Sequence, residues 1–146
     1  MSDDHDGDPA LHALLEDQTH GTLATQKRDG RSQLSNVSYT YDRATGTIKV
    51  STVDGRAKTA NIRRDPRVSL LASMSEGWSY AVAEGSGTLS PVATRPDDDT
   101  VEELIEVFRA IGGEHPDWDD YRRAMIADRR LVLRIQVDRV YGLARG

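Results

Sequence analysis

Two tight-turn signals divide the first third of the chain into short β-rich segments, and this arrangement restricts the fold more than any other feature. Residues 21–55 are rich in the β-branched and aromatic residues that strands favour. Asp29-Gly30 and Thr45-Gly46 interrupt this stretch, and such pairs form the tight turns of β-hairpins. Strands joined by short turns run antiparallel. The sequence therefore predicts three antiparallel strands in this stretch.

Helical and strand patterns alternate along the rest of the chain. Leucines at helical spacing follow Pro9 and predict a short N-terminal helix. Gly85 and Gly87 lie inside a long strand-like segment and predict a bulge or bend there. The elements predicted after the first three strands are a short helix over residues 57–63, strands over 67–73 and 78–89, an amphipathic helix that opens at 96–100 and ends at 112–113, a helix over 118–128, and a half-buried strand over 131–137.

Six strands without a strand–helix–strand rhythm predict a mainly β fold. We expect a six-stranded antiparallel sheet that forms a small closed or partly open barrel, with helices flanking it and covering its ends. A length of 146 residues fits one domain. We expect residues 1–8 to form a disordered acidic leader and residues 9–146 to form this single domain.

The composition argues against several classes of function. A formal net charge of −5 and a pI near 5.3 disfavour general affinity for nucleic acids or anionic membranes. The absence of cysteine excludes disulfides and thiolate metal sites. No apolar run approaches the roughly 18 residues of a spanning helix, and the acidic start is unlike a secretion signal. These features predict a cytoplasmic protein without nucleic-acid or membrane partners.

No group of side chains forms a recognisable catalytic or metal-binding motif. The chain has no nucleophilic serine in a GxSxG turn, and its four histidines are scattered without metal-ligand spacing. Asp97, Asp98 and Asp99 immediately precede an apolar helix, a position that favours helix capping over metal binding. We therefore predict no metal site, and the sequence identifies no catalytic residue.

The segment GRAKTANIRRDPR collects five basic residues in an acidic protein: Arg56, Lys58, Arg63, Arg64 and Arg67. Nucleic acid, a salt-bridged helix surface or a phosphate-bearing small molecule would each explain it. Arg56 and Lys58 lie in the first turn of the predicted helix, where a cation opposes the helix dipole unless an anion binds nearby. The other three lie at the far end, where cations suit the dipole. Phosphate binding by the first two and a plain helix surface remain alternative interpretations.

The segment GWSYAVAEG is the second notable feature. If it is a strand throughout, Trp78 and Tyr80 share one face, and Ser79 lies on the other. An aromatic anchor in the core is one interpretation. A wall against a planar ring is the other.

Seven segments together carry a family resemblance over nearly the whole chain after the leader: GTLAT, DGRSQLSNVSY, GRAKTANIRRDPR, GWSYAVAEG, PDDDTVE, GEHPDWDDYRRAM and VYGL. In this order they resemble the split-β-barrel flavin and deazaflavin oxidoreductases related to pyridoxamine 5′-phosphate oxidase. The chain is most similar to actinobacterial members that use the deazaflavin coenzyme F420. The resemblance implies a homodimer of six-stranded split barrels with two cofactor sites at the interface.

The resemblance also implies which residues bind the cofactor. The residues that match those holding the phosphate end are Arg56, Ala57, Lys58 and Asn61. The residues that match those lining the ring and ribityl region are Ser35, Asn36, Val37, Ser51 and Thr52. The segment expected to approach the site from the partner subunit consists of Trp78, Ser79 and Tyr80.

The function implied is hydride transfer between F420 and an unsaturated or conjugated small molecule, with the cofactor supplying the chemistry. An FMN-dependent enzyme similar to pyridoxamine-phosphate oxidase and a non-catalytic F420 carrier are the alternatives. Vitamin B6 oxidases of the family carry an arginine-rich strand where this chain reads IKVSTV, which argues against the FMN-dependent vitamin B6 reaction. The substrate is expected to contact the loops Thr40–Thr47 and Gly112–Asp120.

Overall fold

The computed structural model describes residues 8–76 and 78–144, which form an antiparallel sheet flanked by helices. The strands in this part of the chain are β1 His20–Gln26, β2 Ser32–Ser38, β3 Thr40–Asp42, β4 Thr47–Val53, β5 Arg67–Ser73, β6 Tyr80–Leu89 and β7 Arg130–Leu143. The helices are α1 Pro9–Asp17, α2 Ala57–Arg64, α3 Asp99–Gly112 and α4 Trp118–Ala127. This architecture confirms the predicted mainly β, antiparallel class with flanking helices.

The strand order makes the sheet curl into a half-barrel. Across the described residues the order is β2-β1-β5-β6-β7-β4-β3, so β2 and β3 lie at opposite edges of the sheet. Only Tyr39 separates these two strands in sequence. Because one residue spans about 3.5 Å, the sheet has to curl until its two edges meet. The result is consistent with a split barrel.

The prediction of six strands is wrong, since the described sheet has seven. The segment predicted as one strand is interrupted at Tyr39, which is fully buried. Its N–H donates to the Thr19 carbonyl at 2.9 Å, and its hydroxyl donates to the Leu15 carbonyl at 2.7 Å. These bonds hold Tyr39 against the end of α1 instead of in a strand ladder. The chain therefore pairs with β1 before Tyr39 and with β4 after it.

Two apolar clusters form the core, and β7 contributes to both. The first lies inside the curled sheet and includes Leu133 and Ile135; the second lies beneath α3 and α4 and includes Val132. The first part of β7 is therefore buried on both faces, whereas the sequence predicted burial on one. The reason is that α3 and α4 cover its outer face. Burial of each such side chain stabilises the fold by about 1.5–3 kcal/mol.

An ion-pair cluster holds α3 against the sheet. The Glu103 carboxylate accepts a hydrogen bond from Nε of Arg134 at 2.7 Å and a second from the same guanidinium, and it lies 3.3 Å from Nζ of Lys49. The Arg134 hydrogen bonds, with the help of Lys49, hold the pKa of Glu103 below its ordinary value although burial acts to raise it. Glu103 thus connects α3 to both β4 and β7.

The capping role predicted for the aspartate run belongs to Asp98. Its carboxylate accepts hydrogen bonds from the N–H groups of Val101 at 2.8 Å and Thr94 at 2.8 Å. Partial burial acts to raise the pKa of Asp98, but these backbone bonds hold it below its ordinary value. In the described residues no group of three or more acidic or histidine side chains is arranged to hold a metal ion.

The predicted irregularity in the long hairpin of β6 and β7 is present. The register shifts between Glu84 and Gly85, where Glu84 lies opposite Arg139 and Gly85 opposite Val137. The extra residue is therefore Asp138, on β7 rather than on β6. A bulge of this kind bends and twists both strands.

The predicted disordered leader over residues 1–8 lies outside the described residues except for Asp8, whose carboxylate accepts from the Ala10 N–H at 2.8 Å and caps α1. None of the helices in the described ranges is long and apolar enough to cross a membrane.

Candidate functional site

A cavity of about 560 Å³ lies at the split of the barrel. One wall is formed by residues 36–38 of β2, and another by residues 51–53 of β4. Strand β3 pairs with β4 only through residues 47–49, so on the side away from β7 no described strand pairs with residues 51–53. Consecutive residues of a strand point to opposite faces. Because three consecutive residues of each strand line the cavity, the cavity meets the edges of these two strands and not one of their faces.

Three cations line the cavity. Arg56 is the N-cap of α2 and makes no capping hydrogen bond with its side chain. Lys58 lies in the first turn of α2, and Arg130 lies opposite Val53 in the pairing of β4 with β7. Among the described residues no acidic side chain lines this cavity, and none forms an ion pair with these three cations. The cavity lining at the start of α2 is therefore positively charged.

The positive charge acts on the ionisation of Lys58. Burial lowers the pKa of Lys58, and the charges of Arg56 and Arg130 lower it further. An anion bound beside these groups would reverse the last two effects. The arrangement is that of an anion site, in which a helix N-terminus adds the positive end of its dipole.

In the part of the chain that the structure describes, two buried side-chain polar atoms lack hydrogen-bond partners. They are Nε of Arg130 and Oγ of Ser35. Buried polar atoms in folded proteins nearly always have a partner. Ser35 itself lies outside the residues that line the cavity, next to Asn36 on β2.

Another part of the cavity lining is a largely apolar wall. It comes from α3 and α4 and consists of Val107, Phe108, Ile111, Tyr121 and Met125. The hydroxyl of Tyr121 donates to the Leu104 carbonyl at 3.1 Å, and burial raises the pKa of Tyr121. Tyr121 therefore contributes a fixed aromatic ring to the lining, and its hydroxyl is not available as a proton donor.

The aromatic rings of this wall belong to a larger aromatic cluster. Phe108 lies 5.1 Å from Tyr121 and 5.7 Å from Trp118 between ring centroids, in edge-to-face arrangements. His115 packs 5.2 Å from Phe108, and its Nδ1 accepts from the Asp117 N–H at 2.9 Å. Such packing favours a stable apolar surface.

The structure separates the four residues predicted to hold a phosphate. Arg56 and Lys58 line the cavity, whereas Ala57 and Asn61 line a separate groove. The Asn61 amide donates to Oγ1 of Thr25 at 3.1 Å, and its oxygen accepts from Arg64 at 3.1 Å. Asn61 is thus committed to holding α2 against β1.

Most of the residues predicted to line the ring region do meet at the cavity. They are Asn36, Val37, Ser51 and Thr52. Ser35 is the exception. The two strands come together here because the sheet curls, which places the free edges of β2 and β4 on the same cavity.

The segment predicted to come from a partner subunit lies in the hairpin between β5 and β6, away from the residues that line the cavity. Trp78 is 82% exposed, so its interpretation as a core anchor is wrong. The strand begins at Tyr80, which means that Trp78 and Tyr80 do not share a strand face. Ser79 is buried, and its carbonyl accepts from the Met74 N–H at 3.1 Å.

The other arginines of the basic segment have partners. Arg63 pairs with Asp54 at 3.0 Å and Arg67 with Asp65 at 2.7 Å, while Arg64 donates to the carbonyl of Gln26 at 2.6 Å. The segment therefore has two parts. Its first cations line the cavity, and its last three stabilise the surface around α2.

A sequence model of the pyridoxamine 5′-phosphate oxidase family matches residues 8–144. The chain belongs to this family. Proteins of the pyridoxamine 5′-phosphate oxidase family are generally oxidoreductases, and their fold binds flavin-type cofactors. The family assignment agrees with the half-barrel and confirms the family named from the sequence motifs.

Solved structures with this family's fold resemble the chain at low identity. A conserved hypothetical protein from Mycobacterium tuberculosis is 23% identical, with a TM-score of 0.72 over 99% of this chain and 85% of that one. A protein named F420 reductase is 20% identical, with a TM-score of 0.67 over 89% and 94% of the two chains. General stress protein 26 from Bacillus anthracis is 17% identical, with a TM-score of 0.61 over 92% of each chain.

Sequence reasoning missed Arg130 and most of the apolar wall. Arg130 precedes the alternating pattern of the last strand, and nothing local relates it to β4. The apolar residues of α3 were assigned to the core stripe of an amphipathic helix, although Phe108 and Ile111 also face the cavity. Gly112 is the part of the expected substrate loops that lines the cavity, whereas several residues of Thr40–Thr47 border a different cleft.

Proposed function

We propose that this protein is an F420-dependent oxidoreductase that transfers a hydride between the deazaflavin and an unsaturated or conjugated small molecule. The observation that supports this most is the mixed lining of the cavity at the split. Three cations without acidic partners among the described residues share this lining with an apolar, aromatic wall. A ligand that carries both a phosphate and a planar ring matches both parts of the lining.

The donor set of the cavity fits such a cofactor. Arg56 and Lys58 would hold its phosphate through charge-assisted hydrogen bonds, and the free strand edges at 36–38 and 51–53 offer backbone groups to a ring. A bound deazaflavin supplies the hydride chemistry at its own ring. Phe108 and Tyr121 would shield such a ring from water. The Tyr121 hydroxyl is already used by Leu104, so no side chain is assigned as a proton donor.

F420 is preferred over FMN in this proposal because of the sequence motifs and the similarity to a protein named F420 reductase. The family assignment is equally compatible with FMN, which makes an FMN-dependent enzyme the first alternative. A non-catalytic F420 carrier would use the same cavity and is the second alternative. Ligand preference distinguishes the FMN enzyme from the proposed function, and turnover distinguishes the carrier from it.

We also propose that the protein works as a homodimer. Several large apolar side chains are exposed on the sheet and its hairpin: Leu34, Leu71, Met74, Trp78, Tyr141 and Leu143. Leu71 and Tyr141 both lie opposite Val82 in the strand pairing and form one row. A cleft beside Leu71 shares residues 36–38 with the cavity. A second copy on this face would bring its own Trp78–Tyr80 segment near the site.

A side-by-side fluorescence titration tests the proposed function. The protein is produced in a host that makes no F420, and F420 and FMN are added to separate samples. We expect F420 to bind at least about tenfold more tightly, a difference of about 1.4 kcal/mol, and the reduced cofactor to be oxidised when conjugated acceptors are added. Purification as a yellow protein with bound FMN would favour the FMN enzyme. Tight F420 binding without turnover across an acceptor panel would favour the carrier.

A further inference from the structure

We infer that Arg130 is a third anion-binding residue of this cavity, which joins Arg56 and Lys58 in holding the charged end of the ligand and makes the site select phosphorylated over unphosphorylated ligands. This inference rests on the proposed use of the cavity by a phosphate-bearing cofactor. It is independent of whether that cofactor is a flavin or a deazaflavin.

The position of Arg130 comes from strand pairing. It begins β7 and lies opposite Val53, the last residue of β4 and two residues after Ser51. One Nη atom of Arg130 lies 3.4 Å from Oγ of Ser51, at the long end of the hydrogen-bond range. The β4–β7 ladder thereby brings a guanidinium to the cavity that the start of α2 also lines.

The hydrogen bonding of Arg130 is incomplete within the described part of the chain. Its Nε is buried without a partner. A guanidinium stays charged at all ordinary pH values and offers five donors in a fixed plane. Leaving a buried donor unpaired destabilises a fold, so a rotation of the side chain that turns this N–H toward a ligand oxygen would remove a cost that the protein alone bears.

The neighbouring arginine shows a different arrangement. Arg129 is exposed and pairs with Asp54 at 3.2 Å, and Asp54 also pairs with Arg63. Arg130 lies one position further along and has no acidic partner among the described residues. Of two adjacent arginines, one therefore stabilises the surface, and the other adds positive charge to the cavity.

The number of charges indicates the ligand class. Arg56, Lys58 and Arg130 together carry three positive charges, and the lining has no acidic residue to balance them. A phosphate monoester carries about −1.5 to −2 at neutral pH, and a phosphodiester with a neighbouring carboxylate carries a similar charge. Guanidinium groups bind such oxygens in a bidentate manner. A neutral ligand end would leave the repulsion among the three cations in place.

The test compares ligands that differ only at the charged end. FMN is compared with riboflavin, and F420 with its unphosphorylated ribityl deazaflavin, in wild type, Arg130→Gln and Arg130→Lys. We expect Arg130→Gln to weaken binding of FMN and F420 by about 10- to 100-fold. The affinities for the two ligands without a phosphate should not change. Arg130→Lys, which keeps the charge without the planar fork, should recover part of the loss. Arg129→Gln is the matched control and should change none of the four affinities.

Inorganic phosphate provides a measurement that requires neither ring. Millimolar phosphate should raise the Tm of wild type and Arg129→Gln, and this rise should be lost in Arg130→Gln. If Arg130→Gln lost the same affinity for charged and uncharged ligands, Arg130 would have a structural role and the inference would be overturned. Unchanged affinities in Arg130→Gln would also overturn it, as would wild type that neither binds the charged ligands nor responds to phosphate. A preference for FMN over F420 would refute the proposed function and leave the inference standing.

Discussion

At the residue scale, Lys58 and Glu103 show how the surroundings decide what a partly buried charge does. Glu103 has two cations within hydrogen-bonding or ion-pairing distance and is held in its charged form. Burial of Lys58, together with two nearby cations, disfavours its charged form, and it has no acidic partner among the described residues. The charge of Glu103 therefore stabilises the fold. The charge of Lys58 lowers the stability of the fold, and we propose that it binds the ligand.

Lys58→Met should separate binding from folding. We expect it to weaken binding of F420 or FMN by about 1.5–3 kcal/mol, the range of a hydrogen bond to a charged group. The ligand-free protein should keep its stability or gain some, since a cation leaves the first turn of a helix. Ligand titration and chemical unfolding measure the two effects. Arg63→Met is the control, which should leave affinity unchanged. Unchanged affinity with a large loss of stability in Lys58→Met would show that Lys58 is structural.

The pKa of Lys58 also predicts a pH dependence. Its pKa is lower in the folded protein than the ordinary 10.5 of the unfolded chain. Between these two values the unfolded state binds more protons, so stability rises with pH there. We therefore compare the free energy of unfolding of wild type with that of Lys58→Met. As the pH rises toward 10.5, wild type should gain stability relative to the variant. A difference that stays constant with pH would contradict this prediction.

Glu103→Gln should destabilise the fold at neutral pH by about 1.5–3 kcal/mol, because Arg134 and Lys49 lose a charged acceptor. The folded pKa of Glu103 lies below its ordinary 4.5. The contribution of the Glu103 charge to the stability of the fold is thus fully present above pH 4.5 and is lost as the pH falls through the pKa of the folded protein. Urea unfolding at several pH values measures this. Glu106→Gln, on an exposed position of α3, is the control. An equal effect of both substitutions would contradict the role assigned to Glu103.

At the element scale, the bulge between β6 and β7 lets a long hairpin bend with the barrel. Gly85 lies at the register shift, and a Cβ added there would come within 2.0 Å of the Gln136 carbonyl oxygen. No rotamer change can relieve a contact with backbone. The absence of a side chain at this position therefore allows the two strands to approach closely.

Gly85→Ala should destabilise the protein by at least about 1–3 kcal/mol, the usual cost of forcing extra volume into a packed site. Gly112→Ala is the matched control, since the nearest atoms to its added Cβ are 3.9 Å away on the Phe108 ring. It should be neutral or slightly stabilising in thermal unfolding. Similar melting temperatures for the two variants would show that the hairpin adjusts without cost.

At the scale of the whole molecule, the curl of the sheet links the cavity to an uncovered apolar face. Residues 36–38 border both the cavity and the cleft beside Leu71. A partner that covers this face would therefore also enclose the site. Ligand binding and self-association should be coupled for this reason.

Leu71→Glu should convert a dimer into a monomer and weaken cofactor binding at the same time. Light scattering at micromolar concentration should give about twice the chain mass of 16.1 kDa for wild type and the single mass for the variant. Arg123→Glu, on the exposed side of α4, is the control and should stay dimeric. A wild type that is monomeric and still binds cofactor tightly would rule out a shared site.

The sequence by itself determined the features that depend on a few neighbouring residues. The turns at Asp29-Gly30 and Thr45-Gly46, the cap of α3 and the helix after Arg56 follow from backbone preferences and short-range hydrogen bonds. The motif resemblance identified the family correctly, because it combines many such local signals. The position of Arg56 and Lys58 at the start of α2 was likewise readable from the chain.

The tertiary structure alone decided which distant residues meet. Arg130 and Ser51 are 79 positions apart, and only the pairing of β4 with β7 brings them together. The break at Tyr39 depends on its contact with α1, and the burial of Val132 depends on the helices that cover β7. Trp78 is exposed because its strand begins after it. These outcomes result from packing free energy summed over the whole chain, which no local window of sequence contains.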